Sequence, residues 1–546
     1  VQIRQSDYSF RRLLTFVGRG VLLESAILLL ATLLRFFALD LKPAHFDEGI
    51  NGWFIDQMRA AGFYRYDPEN YHGPLYFYAL FVPLSVLGRN LWALRLPAVL
   101  ASIASVWMAL RFGHFLGSSA ARLGALALAV SPAAVFYGRY AIHESFFVLS
   151  LMITALGLLG LWKDGCWRYL TITISGMTMM LLLKETAVIH LVSFGLAAGC
   201  LALWQRVVPS HPAMPLARQR WNQRDLLTCC TTAVLVLVFF YSGTFMNWHG
   251  VIDFFNAYLK WFQTGTGTGG HVKTDYQIGH FAFLNWYWLA LVARYEWLTL
   301  LGLLYALRLV WPAPAQQRYL AIYGLAVLIA YSIVPYKTPW CILSILWPFL
   351  LLFGSFIDEL WKKKRFRPLV FLASALLLSA SLFVTLKLNF RHFADPSEPY
   401  VYVQTMPEIA VVTEPVLGLA AQDSRNHAMS GQIALESYYP LPWIFGDFNR
   451  IGYYGRADMP AVLDGDFIVA LTSDQTVIEG RLGEPYLRQR FHLRDSMDEC
   501  TVWFREKLFA PWFSKDVHGK PDRFVPSVAK LMPATPTSSP TLPPSH

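Results

Sequence analysis

The feature that most constrains this chain is a series of apolar runs, each roughly 15 to 25 residues long, the length that spans a hydrocarbon core about 30 Å thick. Eleven read as crossings: Val21–Leu39, Leu96–Phe112, Leu123–Tyr137, Ser145–Leu161, Tyr169–Leu183, Ala187–Leu203, Leu226–Tyr241, Phe283–Leu307, Leu320–Val334, Pro339–Phe356 and Leu369–Leu388. A soluble chain of 546 residues would divide its apolar residues among two or three cores separated by polar surface segments. Here hydrophobic residues make up 55% of the chain and concentrate in the runs, with Trp and Tyr near their ends, as interfacial anchoring places them. Val21–Leu39 is too long for a cleaved signal core and lacks a small-residue cleavage site, so it reads as a retained anchor.

Charge orients these runs. The formal net charge is +10, but Lys and Arg fall between apolar runs rather than on one soluble face, which argues against a nucleic-acid partner. With Arg4, Arg11, Arg12 and Arg19 in the cytoplasm, the basic connections around Arg206–Arg224 and Lys362–Arg367 also fall inside, as the positive-inside rule requires. This holds only if a twelfth apolar stretch, Pro74–Leu87, does not cross; it is therefore expected to be a helix lying against the outer face. The same parity places outside the Asp40–Tyr71 loop, the Gly138–Glu144 turn, Lys184-Glu185, Asn247–His280, Pro335–Lys337 and everything after Leu388. The chain is thus expected in the inner (plasma) membrane as a multi-pass protein, with a cytoplasmic N-terminus and an extracytoplasmic C-terminal domain.

The expected fold class is an α-helical polytopic membrane protein of about eleven transmembrane helices, with juxtamembrane helices on its outer face and a small C-terminal α/β domain. Residues 1–389 form the membrane domain and 390–530 the outer domain, with short strands at Ile409–Thr413, Phe467–Leu471 and Cys500–Leu508. Residues 531–546, rich in Pro, Ser and Thr, read as disordered. Of six cysteines only Cys500 lies in the soluble part, so no disulfide framework is required.

The outward segments carry the groups that could do chemistry. Asp47 and Glu48 follow the first run closely; adjacent carboxylates raise each other's pKa and can form a metal site or a base with an orienting partner. Acidic residues at a helix N-terminus explain them equally well. Tyr64, Tyr66, Asp67, Tyr71 and His72 suit either a sugar-binding surface or an interfacial aromatic belt. Arg139, His143 and Glu144 sit in the second outward turn, where ionisable groups beside a span need partners or snorkel to the headgroups. Lys184 and Lys337 add outward positive charge suited to a lipid phosphate, and Arg294 is expected well inside its span. Thr264–Gly270 lacks the strand-loop-helix context of a phosphate loop and reads as a plain loop.

A first span, an acidic pair, and a surface helix opening with His72-Gly73-Pro74-Leu75-Tyr76 and closing before Leu94-Arg95-Leu96-Pro97 resemble the GT-C glycosyltransferases. These include the protein O-mannosyltransferases and the lipid A aminoarabinose transferases. Tyr64–Pro74, Arg294-Tyr295-Glu296, Tyr336–Trp340 and Tyr439–Trp443 are most similar to the flippase-activity-associated subgroup. The resemblance implies inverting transfer of a sugar from a polyprenyl-phosphate donor to a glycan, lipid or protein acceptor. It makes Asp47 the general base and Glu48 either its orienting partner or a group that helps hold a cation, with His72, Arg139, His143, Glu144, Lys184, Arg294, Glu296 and Lys337 as candidates for substrate and phosphate binding. It also makes Asp47 and Glu144 candidate ligands of a divalent metal.

Two other classes compete. A lipid-linked-sugar transporter or flippase component would show inverted repeats and midplane ionisable groups, and the sequence shows no repeat. A scaffold would leave the acidic pair and outward cations incidental.

Overall fold

The computed structural model describes residues 3–70, 72–207, 219–266, 274–278, 281–309, 313–514 and 521–526. Tyr71, most of the 264–270 run and the 531–546 tail, with the disorder expected there, lie outside the described residues. The chain divides into two compact units, residues 1–42 with 54–402 and residues 43–53 with 403–546. The boundary expected at 389/390 thus falls at 402/403, and a short segment after the first span joins the C-terminal unit.

The first unit is helical. Helices α1 (Ile3–Phe36), α2 (Phe46–Ala61, whose first turns belong to the second unit), α3 (Leu75–Leu87) and α4 (Leu91–Arg111) open it. Among the described residues six helices are long and apolar enough to cross a membrane, and the pair Ser118–Val130 and Pro132–Gly138, bent by 57°, makes a seventh if taken as one span. Pro132 explains the bend, because its ring cannot continue a helix through Ser131. Pro339–Lys362 is the most enclosed span, whereas Gln223–Tyr241 and Lys364–Phe390 keep most of their apolar surface open, as lipid-facing helices do. Glycines let the central span approach its neighbours: a Cβ at Gly302 would strike the Phe349 carbonyl, and one at Gly354 the Ala120 carbonyl.

Two expectations need correction here. Phe283–Leu307 is not one helix: β1 (Gln277–Ile278) pairs antiparallel with β2 (Phe281–Asn285), and helices Tyr287–Tyr295 and Trp297–Arg308 follow, broken at Glu296. Arg294 therefore does not lie deep in a span. It is half exposed and bonds Glu398 Oε2 (3.2 Å) and the Ser397 carbonyl (3.1 Å). Pro74–Leu87 does form a short apolar helix, α3.

In the second unit a six-stranded sheet runs β4 (Ile451–Tyr454), β3 (Gly431–Ala434), β5 (Phe467–Leu471), β7 (Cys500–Arg505), β6 (Tyr486–Phe491), β8 (Asp522–Phe524). β3 is parallel to β4 and β5, and the remaining pairs are antiparallel. Phe467 and Val469 enter one core with Val502 and Phe504, while Ile468 and Ala470 enter another with Trp503 and Tyr486. A strand covered on both faces needs this unbroken apolar string. Ile409–Thr413, expected as a strand, instead closes a 3-10 turn and opens the helix Ala410–Gln422. Ile409, Val412, Val416 and Leu419 recur at helical spacing in one core, so the period of burial overrides the β-branched composition. Cys500–Leu508 is a strand only to Arg505 and then turns helical. All six cysteines are free.

Candidate active site

The acidic pair begins α2, and its two carboxylates have different work. The His45 N–H donates to Glu48 Oε2 (2.8 Å), and the Asp47 N–H donates to His45 Nδ1 (3.1 Å). This is a reciprocal cap in which a histidine replaces the usual hydroxyl, and it uses the orphan N–H groups of the first turn. Glu48 is fully buried, while the Asp47 side chain keeps 32% of its surface exposed, with Oδ2 3.7 Å from His45 Nδ1. The helix-capping explanation thus holds for Glu48, and Asp47 is the carboxylate of the pair that keeps part of its surface exposed.

Within the first unit a buried polar cluster forms where three segments meet. The Gly73 N–H donates to the Leu183 carbonyl and the Leu75 N–H to the Leu182 carbonyl, both at 3.1 Å. A Cβ at Gly73 would collide with the Leu182 carbonyl, so the His-Gly-Pro string needs its glycine for close backbone approach. That approach sets His72 Nδ1 3.2 Å from Glu185 Oε2. The His143 ring contacts those of His72 (4.6 Å) and Tyr76 (4.4 Å), and its buried Nε2 has no hydrogen-bond partner among the described residues. Lys184 Nζ bonds Glu144 Oε1 at 2.8 Å and lies 3.9 Å from Cys341 Sγ. Burial alone would lower the Lys184 pKa, but Cys341, Glu144 and Glu185 hold it well above the ordinary lysine value. Four sequence candidates, His72, His143, Glu144 and Lys184, are therefore brought together. Glu185 and Cys341 join them; Glu185 was signalled by its place beside Lys184, and Cys341 by nothing in the sequence.

The other candidates serve helix ends. Arg139 donates to the carbonyls of Leu34 (3.1 Å), Arg35 (3.3 Å), Phe37 (2.6 Å) and Ala38 (2.6 Å), closing the C-terminus of α1. Arg95 adds bonds to the Leu39 and Lys42 carbonyls. Lys337 donates to the carbonyls of Tyr331 (2.7 Å), Ser332 (3.0 Å) and Val334, at the end of the helix Ala315–Ile333. A cation at a helix C-terminus complements the dipole and the last unpaired carbonyls. Glu296 does the converse, accepting from Ser131 Oγ (2.9 Å) and the Ala133 N–H (2.7 Å) at the start of the helix Pro132–Gly138.

Glu144 is one of the two residues raised as ligands of a divalent metal. Glu144 is engaged by the Lys184 ammonium, and among the described residues no group of three or more His, Cys, Asp or Glu side chains could hold an ion.

Sequence reasoning also missed Arg494, buried in the C-terminal unit with its guanidinium 4.9 Å from the Phe46 ring. Its place in a soluble α/β segment offered no signal.

Comparison with known proteins follows the same lines. Residues 71–240 match the family model described as dolichyl-phosphate-mannose-protein mannosyltransferase. ArnT from Cupriavidus metallidurans bound to undecaprenyl phosphate superposes with a TM-score of 0.57 at 16% identity, over 89% of this chain and 98% of that one. Its apo state gives 0.53 at 15% identity, over 90% and 99%. No curated protein matches the sequence. The chain shares the fold of these ArnT structures and is itself an assembly of apolar helices with a small C-terminal sheet domain.

Proposed function

From this fold we infer that the chain is a membrane glycosyltransferase that moves a sugar from a polyprenyl-phosphate carrier to an acceptor on the outer membrane face. The observation that carries the reading is the division of labour in the acidic pair: Glu48 is spent on the helix cap, while Asp47 presents a partly exposed carboxylate. Asp47 removes the proton from an acceptor hydroxyl. The acceptor oxygen then attacks the anomeric carbon from the face opposite the phosphate, and the carbon–oxygen bond to phosphate breaks. Polyprenyl phosphate leaves with that electron pair, and the anomeric configuration inverts. A positioned base contributes about 10²- to 10⁴-fold.

Negative charge builds on the departing phosphate, so fixed positive charge aimed at it is the largest catalytic contribution. Within the first unit, Lys184, held protonated beside Glu144 and close to His72 and His143, is a cation suited to binding a lipid phosphate, with Glu144 and Glu185 orienting the two basic groups. Arg139, Arg294, Glu296 and Lys337 are assigned to holding helix ends and connections around it. The undecaprenyl phosphate carried by the ArnT structure supports a donor of the polyprenyl-phosphate class. The basic connections between the apolar runs support an extracytoplasmic C-terminal unit and a cytoplasmic N-terminus.

The test is Asp47→Asn in the full chain reconstituted in liposomes, with a panel of undecaprenyl-phosphate sugars and an acceptor mixture. Loss of transfer with an unchanged unfolding temperature is expected. Full activity overturns the base assignment, and movement of labelled carrier between leaflets without transfer favours the transporter reading.

A further inference from the structure

The C-terminal unit does more than cap the chain: it grips the first two turns of α2, on which Asp47 stands. Phe46, Gly49 and Gly52 recur at three-residue spacing and so share a helix face. The Phe46 ring packs edge-on against Tyr439 at 5.8 Å. An added Cβ at Gly49 would lie 2.5 Å from the Pro440 Cα, and one at Gly52 would enter the Trp443 ring. Gly49 thus lets this helix meet the Pro440 backbone, and Gly52 makes room for the Trp443 ring.

Two side chains bond that segment: the Tyr453 hydroxyl donates to the Leu441 carbonyl (3.2 Å), and Arg494 makes the larger set of bonds. Arg494 donates to the Tyr439 carbonyl (2.6 Å), the Ser437 carbonyl (2.6 Å) and Ser437 Oγ (2.6 Å), and lies over the Phe46 ring. It is 2% exposed. A buried guanidinium is costly unless its donors are used; here they go to the turn that meets the start of α2, with a further contact to Met497 Sδ (2.8 Å). Burial draws its pKa down to about 10, with Cys500 and the Asp47 carboxylate acting in the opposite direction.

We propose that Arg494 is a positioning residue for the base: it braces the Ser437–Pro440 turn against the Phe46–Gly49–Gly52 face and so sets where the Asp47 carboxylate points. The outer domain is then part of the catalytic apparatus rather than an appended module. This rests on the assignment of Asp47 as base.

The experiment compares Arg494→Gln and Gly52→Ala with the parent in the full chain, in liposomes, using the undecaprenyl-phosphate sugar panel as donor probe and undecaprenyl phosphate alone as binding probe. A misplacement near 1 Å costs about 10²-fold, so kcat is expected to fall about 10- to 100-fold while donor KM and undecaprenyl phosphate affinity stay within about twofold. Amide exchange over residues 46–52 should quicken in both variants. In an Asp47→Asn background Arg494→Gln should cost nothing further, because the two act as one unit. Unchanged kcat and exchange in both variants, or an equal further loss in the Asp47→Asn background, overturns the proposal while leaving the base assignment standing. A fully active Asp47→Asn overturns both. Gly52→Ala keeps the test decisive should Arg494→Gln fail to fold.

Discussion

Lys184 and Glu144 form an ion pair of 2.8 Å with side chains only 6% and 5% exposed, contributed by the turn after the helix Trp167–Leu181 and by the first residue of the helix Glu144–Lys163. Taking two charges out of water is expensive, and such a pair persists only when each finds its partner. It therefore ties these two helices together at the point where the polar cluster sits.

Breaking this pair from one side should be severe. Glu144→Gln or Lys184→Met alone is expected to cost about 3 to 5 kcal/mol, because each strands the opposite charge. The double variant should recover much of that stability, as measured by thermal unfolding in detergent, yet stay inactive in transfer if Lys184 faces the donor phosphate.

The acidic pair should separate into a stability residue and an activity residue. Glu48→Ala removes the acceptor for the His45 N–H and should lower stability by about 0.5 to 2 kcal/mol, the usual range for a lost cap. Asp47→Asn should leave the unfolding temperature alone. Equal stability losses in the two variants would contradict the assignment.

Gly73→Ala should unlatch α3 from the Leu182–Leu183 turn, since the new methyl meets backbone that cannot move aside as a side chain would. Lower thermal stability together with weaker undecaprenyl phosphate binding is expected. Binding unaffected by the substitution would remove His72 from the phosphate site.

Cys500 is fully buried, and burial pushes its thiol pKa up to about 11. The thiolate is the reactive form, so reactivity appears only as pH rises toward that value. Cys500 should resist maleimide at pH 8 in the folded protein and label promptly in SDS, as mass spectrometry of the modified peptide would show.

Much of the molecule was legible in the chain. The apolar runs implied membrane helices, because only a long unbroken run can satisfy its backbone within lipid. The run Phe467–Leu471 implied a buried strand, and Asp47-Glu48 and His72-Gly73-Pro74 marked places where chemistry could occur. Local sequence also allowed for the capping of Glu48, since three residues suffice to close that bond. What it left open was how charges far apart in sequence pair. Lys337 and Arg139 look like free outward cations until the helix ends they close are seen in space. Lys184 meets Glu144 across 40 residues, and Arg494 braces a turn some 55 residues earlier. Spacing along the chain settles periodicity and turns, because those depend on neighbours a few residues away. The partner of a buried charge is chosen by packing, because burial penalises every arrangement in which that charge stays alone, and only the folded chain determines which partner is within reach.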